Sequence, residues 1–142
     1  EDEPELSPNY ELNVVADEGH PFRGGDIEEL CLKHGFIRGP SDLFYVYDGK
    51  TPQAPVVFRI CSLKTPYCFP RQMSDYETTA LAVYMDLPAR GSAARYFRAM
   101  RLAAEIFVQQ LGGSIQDNNY QLLDEAALRT IEEQLRRYDE SI

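Results

Sequence analysis

The residues with the most chemistry in them are two histidines, three cysteines and a run of arginines, and none of them is spaced for catalysis. His20 lies in the loop-like stretch DEGHPF and His34 near the end of a helical stripe, and no Cys/His spacing matches a zinc site. Cys31, Cys61 and Cys68 are odd in number and irregular in spacing, so they read as free thiols in a reducing compartment. No G-x-S-x-G elbow, Walker loop or dinucleotide fingerprint is present, and the glycines of GHPFRGG lack the Lys-Ser/Thr pair of a phosphate loop. ARGSAARYFRAMR sets Arg90, Arg95, Arg98 and Arg101 near a helix start, where cations oppose the helix dipole. An anion contact is one reading of that cluster, and a solvated helix face is the favoured one. The chain therefore reads as a non-enzyme with no metal and no cofactor, and its function is to be sought in a surface.

The 142 residues carry 44% hydrophobic and 26% charged side chains, which suits one globular domain with a real core. No apolar run approaches the roughly 18 residues that a membrane-spanning helix needs. The opening EDEPELSP is acidic, bears proline and has no initiator Met; it reads as the end of a linker over residues 1–8, with one domain over 9–142. A formal net charge of -9 opposes nucleic-acid binding, which needs a basic footprint to neutralise phosphates.

The elements that must present such a surface follow from periodicity. YELNVVA (10–16) alternates as a strand, and Asp26 with Glu29 forms a capping-box pattern before the stripe Ile27, Leu30, Cys31 and His34. Gly35 suits the left-handed position that ends a helix. LFYVYD (43–48), VVFRICSL (56–63) and TTALAVYMDL (78–87) are three more strands, the last stopped by Pro88. Ser92 is positioned to cap a second helix whose buried stripe is Phe97, Met100, Ala104, Phe107 and Leu111, ended by Gly112 and Gly113. SIQDNNYQLL predicts two short strands about a turn, and Asp124 caps a last helix with the stripe Leu128, Ile131, Leu135 and Tyr138. Adjacent strands favour antiparallel pairing, so the expected class is α+β with helices on one face of the sheet and the opposite face open.

Side chains alternate between the two faces of a strand, and LFYVYD is apolar or aromatic on both. In the last strand the helix-facing set is Leu81, Val83, Met85 and Leu87, leaving Ala80, Ala82, Tyr84 and Asp86 outside. Likewise Val56, Phe58 and Ile60 point in, and Val57, Arg59, Cys61 and Leu63 point out. In the first strand Tyr10, Leu12, Val14 and Ala16 point in, with Glu11, Asn13 and Val15 outside. Small alanines between larger apolar groups form a shallow trough, the kind of patch that marks a binding surface. Arg59 beside Cys61 predicts a modest bias toward thiolate and a reactive Cys61, with Cys31 slow on its helix stripe.

The order and spacing of a set of residues resembles the C-terminal FtsZ-binding domain of the bacterial cell-division protein ZipA. The set is Asn13-Val14, Gly19, Gly24, GFI (35–37), Gly39, Pro55, Phe58, Pro66, Phe69, Thr78, Met85, Pro88, Gly91, Phe97, Met100, Ala104, Gly112-Gly113, Asp117 and Leu128. The resemblance runs from about Asn9 to Tyr138. It implies a split β-α-β fold, with three helices behind a six-stranded antiparallel sheet. It also implies a shallow hydrophobic groove on the open face that takes the C-terminal tail of FtsZ. The parent protein would hold an N-terminal inner-membrane anchor, absent from this chain, and would tether the division ring at the cytoplasmic face of the inner membrane.

By resemblance the groove is lined by Asn9, Glu11, Ser41, Leu43, Leu63, Thr65 and Tyr84. With these positions outside, alternation makes Leu43, Tyr45 and Tyr47 the outer set of LFYVYD and adds Tyr45, Arg59 and Cys61 to the site. Family members usually carry aliphatic residues where Asn9 and Glu11 stand, Met at Ser41 and Lys at Thr65. This groove is the more polar and acidic, which fits either a matched FtsZ tail or a different peptide. The expected protein is a monomeric peptide-binding domain. The competing readings are a single-stranded nucleic-acid sheet, on the strength of Tyr45, Tyr47 and Tyr84, and a homodimer that buries the same face.

Overall fold

The structure is a computed structural model in which residues 6–141 are described. In chain order the elements are β1 (Asn9–Val15), β2 (Phe22–Arg23), α1 (Gly24–Lys33), β3 (Ile37–Arg38), β4 (Phe44–Tyr47), β5 (Val56–Ser62), β6 (Glu77–Thr78), β7 (Ala80–Asp86), α2 (Ala93–Leu111), β8 (Ser114–Gln116) and α3 (Glu125–Glu140). Among the described residues one antiparallel sheet of six strands runs in the order β3-β4-β5-β7-β1-β8, and β2 and β6 pair separately. The expected α+β class with a six-stranded antiparallel sheet and three helices is the observed one. Of the linker expected over residues 1–8, residues 1–5 lie outside the described residues. Leu6 packs on the core, and the Pro8 carbonyl accepts a hydrogen bond from the Leu87 N–H at 2.8 Å.

One side of the sheet is sealed. Leu12 and Val14 of β1, Phe44 of β4, Phe58 and Ile60 of β5 and Leu81, Val83 and Met85 of β7 are buried in a single cluster. The same cluster takes in Ile27 and Cys31 of α1, Phe97, Met100 and Phe107 of α2, and Leu128 and Leu135 of α3. Apart from His34, which is exposed at the C-cap of α1, the helical stripes read from the sequence join the inward set of the strands in this cluster, and apolar burial on that side is the main driving force for the fold. The chain turns back from α2 into β8 through Gly112 and Gly113, whose φ angles are 88° and 91°. A Cβ on Gly113 would stand 2.3 Å from the Val15 carbonyl oxygen, so glycine is required for β8 to reach β1. Gly24 is held as closely, its would-be Cβ 2.2 Å from the Met73 carbonyl oxygen, while its N–H donates to Tyr76 O at 2.7 Å.

Helix termini depart from the sequence reading in two places. The capping-box pattern at Asp26 and Glu29 does not start α1; the helix begins at Gly24, Arg23 stands at its N-cap without a side-chain hydrogen bond, and Asp26 falls in the first turn. The approach of Gly24 to the Met73–Asp75 turn fixes that start instead. Ser92 stands at the N-cap of α2 but makes no capping hydrogen bond. Asp139 of α3 takes that role: its carboxylate accepts from the N–H groups of Gly91, Ala93 and Ala94 at 2.8, 2.9 and 2.9 Å. Asp124 does cap α3, accepting from Ala127 N at 2.8 Å.

Three other expectations change. TTALAVYMDL breaks at Thr79 into β6 and β7, because Thr78 leaves the main sheet to pair with Phe22. SIQDNNYQLL gives one strand, β8, whose return segment touches it through a single bridge from Leu122 to Gln116. The arginine cluster is used within the fold. Arg95 makes two hydrogen bonds to Asp48 at 3.1 and 3.0 Å, Arg98 pairs with Glu132 at 3.2 Å, and Arg101 pairs with Glu105 and Glu125. Arg90 donates to Ser141 Oγ at 2.8 Å and lies over the Tyr138 ring.

The Asp139 clamp has a testable pH signature. Burial pushes its carboxyl up, and the three backbone N–H groups outweigh that and hold it below the ordinary aspartate value. A depressed folded pKa contributes stability above the unfolded pKa, lost as the pH falls through the folded one. Asp139→Asn is expected to cost about 1 to 2 kcal/mol near neutral pH. In denaturant melts the gap between wild type and variant should shrink as the pH drops to about 2; a constant gap would contradict the clamp.

Candidate functional site

The sealed side fixes the register, and the register arranges the other side in rows. One row crosses the sheet as Ile37, Tyr45, Arg59, Tyr84 and Glu11 on β3, β4, β5, β7 and β1. The next holds Cys61, Ala82, Asn13 and Gln116. Beyond it Ala80 pairs with Val15, and the Leu63 N–H donates to the Ala80 carbonyl at 2.9 Å. On the other flank Asn9 pairs with Asp86. Seven of the ten residues singled out from the sequence therefore share one face: Asn9, Glu11, Tyr45, Arg59, Cys61, Leu63 and Tyr84. Leu43 enters β4 at the Cys61 end, and Ser41 and Thr65 are exposed on the loops bordering that end.

Parts of this face are less open than alternation implies. Leu43 is 9% and Tyr45 8% exposed, although neither belongs to the helix-side cluster. The loop 39–42 closes over Tyr45: its hydroxyl donates to Pro40 O at 2.7 Å, and its ring stacks on Tyr47 with centroids 5.8 Å apart. Ser41 and Asp42 hold φ angles of 62° and 60°, and the Asp42 carbonyl accepts from Phe69 N at 3.0 Å, joining this loop to the segment after β5. Arg38 ties the same two segments, donating to Phe69 O and Pro70 O at 2.8 and 2.6 Å. Three further positions expected outside are buried, among them Ala82 at 1% exposed. Val57 packs into the core beside the irregular register at Val46/Tyr47, and Asn13 is 3% exposed near the β8 turn. Asn13 Nδ2 donates to Asp117 O at 3.5 Å, while its Oδ1 has no partner among the described residues.

What stays open at the centre is Arg59, Tyr84 and Glu11. The Arg59 guanidinium lies 5.8 Å from the Tyr84 ring centroid and 3.3 Å from Asp86 Oδ2. Burial, chiefly, pushes the Tyr84 hydroxyl above its ordinary value, so it stays a neutral donor. The expectation that Arg59 would activate Cys61 is corrected. Burial first, then the Glu11 carboxylate, pushes the thiol up to about 11, against a hydrogen bond from the Ala82 backbone. Arg59 turns to Asp86 and leaves Cys61 under the influence of Glu11. Cys31 is pushed up to about 12 by burial and by Glu28, in keeping with a slow thiol.

Ile37, 42% exposed at the row's end, and Asp86, which engages Arg59, were not singled out as site residues. A two-residue strand shows no alternation to read, so nothing in the local pattern marks Ile37. Tyr67, 57% exposed with φ 68° in the segment after β5, was also missed. Among the described residues no group of three or more His, Cys, Asp or Glu side chains is placed to hold a metal ion. No described helix is long and apolar enough to cross a membrane. The arrangement offers an apolar and aromatic surface with separated charges, suited to contact.

Fold and face together define a class: an α+β domain whose antiparallel sheet is covered by helices on one side and exposed on the other. The family described as "ZipA, C-terminal FtsZ-binding domain" matches residues 9–134, and the chain belongs to that family. It is similar to proteins named cell division protein ZipA from several bacteria. The Pasteurella multocida protein is 26% identical over 125 residues, covering 88% of this chain and 39% of the relative. The Marinobacter nauticus protein is 24% identical over 137 residues, covering 96% and 40%. The Actinobacillus succinogenes protein is 30% identical over 120 residues, covering 82% and 35%. The chain thus spans well under half the length of these relatives.

The thiols provide a direct check on the geometry. With its pKa near 11 against an ordinary 9.0, Cys61 should react with a thiol reagent at pH 8 about a hundredfold more slowly than a free thiol. Glu11→Gln should speed it, because one of the two causes of the upward shift is gone. A wild-type Cys61 rate equal to that of a free thiol would contradict the placement.

Proposed function

We propose that this domain is a non-catalytic, monomeric binder of the C-terminal tail of FtsZ. In this reading the tail lies on the open sheet face, over Leu43, Leu63 and Tyr84, bordered by Asn9, Glu11, Ser41 and Thr65. The rest of the parent protein would anchor the domain to the inner membrane, so that binding the tail tethers the division ring to the cytoplasmic side at the division site. Family membership supports FtsZ as the partner. The observation that carries the site is the half-exposed Tyr84 flanked across the strands by Glu11 and Arg59, on the face that no helix covers. The acidic charge of the chain speaks against nucleic acid on the same face.

Tyr84 offers a broad ring held in place by the Arg59 guanidinium, and aromatic anchors that lose their water on binding dominate interface energies. Titration of the domain with the C-terminal peptide of FtsZ from the same organism should saturate with one site. Tyr84→Ala should weaken that binding by about 2 kcal/mol, roughly 30-fold. Leu102→Ala, on the exposed side of α2, should leave it unchanged. A folded Tyr84→Ala domain with an unaltered dissociation constant would overturn the site.

A further inference from the structure

We infer that Glu11 selects a basic side chain in the bound segment, so that the open face takes a peptide carrying an apolar stretch and a Lys or Arg at one end of it. This inference rests on the sheet-face reading of the site and adds to it the chemistry and orientation of the occupant. The face is graded along the strands. The partly exposed Ala80, Cys61 and Leu63, around the buried Ala82, make its apolar end, while Glu11 and Asp86 lie toward the other. Glu11 is partly buried as a residue, and its carboxylate makes no hydrogen bond or ion pair to any described residue. Arg59 is the cation closest to it in the row, and its guanidinium is engaged by Asp86 at 3.3 Å and by the Tyr84 ring. Lys64, at the apolar end, donates to Glu77 O at 2.9 Å and lies over the Tyr76 ring. Glu11 is therefore a charge without a counter-ion, and its field reaches the Cys61 thiol two strands away.

A segment lying across Tyr84 must cover Glu11, which stands directly opposite it on β1. Removing water from an unpaired carboxylate is unfavourable, and an apolar side chain placed there offers nothing in return. A Lys or Arg at that point of the segment satisfies the carboxylate, and an acidic residue is rejected by Glu11 and Asp86 together. The net charge of -9 adds a longer-range attraction for the same kind of segment. Direction follows as well: the basic residue sits over Glu11, on the side of the face that leads to the Asn9–Asp86 flank, and the apolar residues extend from Tyr84 toward Ala80 and Leu63.

The test is a double-mutant cycle with the C-terminal peptide of FtsZ from the same organism, each of its Lys and Arg residues replaced singly by Gln. Wild type, Glu11→Gln and Glu11→Ile, each checked for folding by circular dichroism, are titrated with every peptide. One replacement should weaken binding to wild type roughly tenfold and leave binding to Glu11→Gln within about twofold. Both Glu11 variants should bind the unaltered peptide roughly tenfold more weakly than wild type does. Equal losses in all three proteins for every replaced cation would overturn the inference while leaving the face as the binding site. So would a tail that binds without any Lys or Arg. No measurable binding of the unaltered peptide to any of the three folded proteins would overturn the sheet-face reading, and this inference with it.

Discussion

The apolar stripe of α2 is buried directly against one side of the sheet, with α1 and α3 joining the same buried cluster, and this one-sidedness governs the rest of the molecule. Phe97, Met100 and Phe107 of α2 meet Leu12, Phe58 and Val83 from three different strands in one dry cluster. A slip of one residue in any of those strands would turn its buried set outward, so the core fixes the register tightly. Register then decides what the far side presents: once Val83 must point in beside Leu12 and Ile60, Tyr84 must point out between Glu11 and Arg59. The open face is thus a consequence of the core, specified by residues that never touch it. Asp139 holds this arrangement from the helical side, fastening the last turn of α3 to the first N–H groups of α2.

On the open side, the chain spends polar groups where a purely apolar trough would be the simpler solution. Loop 39–42 covers Tyr45 and narrows the accessible surface toward β5, β7 and β1. Arg59, Asp86 and Tyr84 form a linked trio, in which the guanidinium touches a carboxylate and an aromatic ring at once. Such a trio holds the tyrosine ring in place before any partner arrives, and preorganisation of that kind lowers the entropy cost of binding. Glu11 stands outside the trio with its charge unanswered. The contrast between the satisfied Asp86 and the unsatisfied Glu11, on neighbouring strands of one face, separates a structural role from a selective one.

Much of this was legible in the sequence because it rests on local periodicity. The strands β4, β5 and β7, the stripe of α2 and the Asp124 cap all follow from spacing within about a dozen residues, and the inward set of β7 was read correctly in full. What failed to show was delivered from far along the chain. Asp139 caps a helix that begins 46 residues before it, so the local candidate, Ser92, was the reasonable and mistaken choice. Tyr45 is buried on the outer side by a loop that alternation does not describe, and Val57 is buried beside a break in register that no pattern announces. Cys61 was misjudged for a related reason. Its neighbour in sequence, Arg59, faces away toward Asp86, and its electrostatic neighbour is Glu11 on another strand.

The most direct measurement is chemical-shift mapping of the isotope-labelled domain titrated with the C-terminal peptide of FtsZ from the same organism. Binding on the open face requires the perturbed amides to cluster around Leu43, Tyr45, Leu63 and Tyr84, with α3 silent, because the helices stand on the opposite side of the sheet. Perturbations centred instead on Arg95 and Arg98 of α2, with the Tyr84 row unmoved, would contradict it.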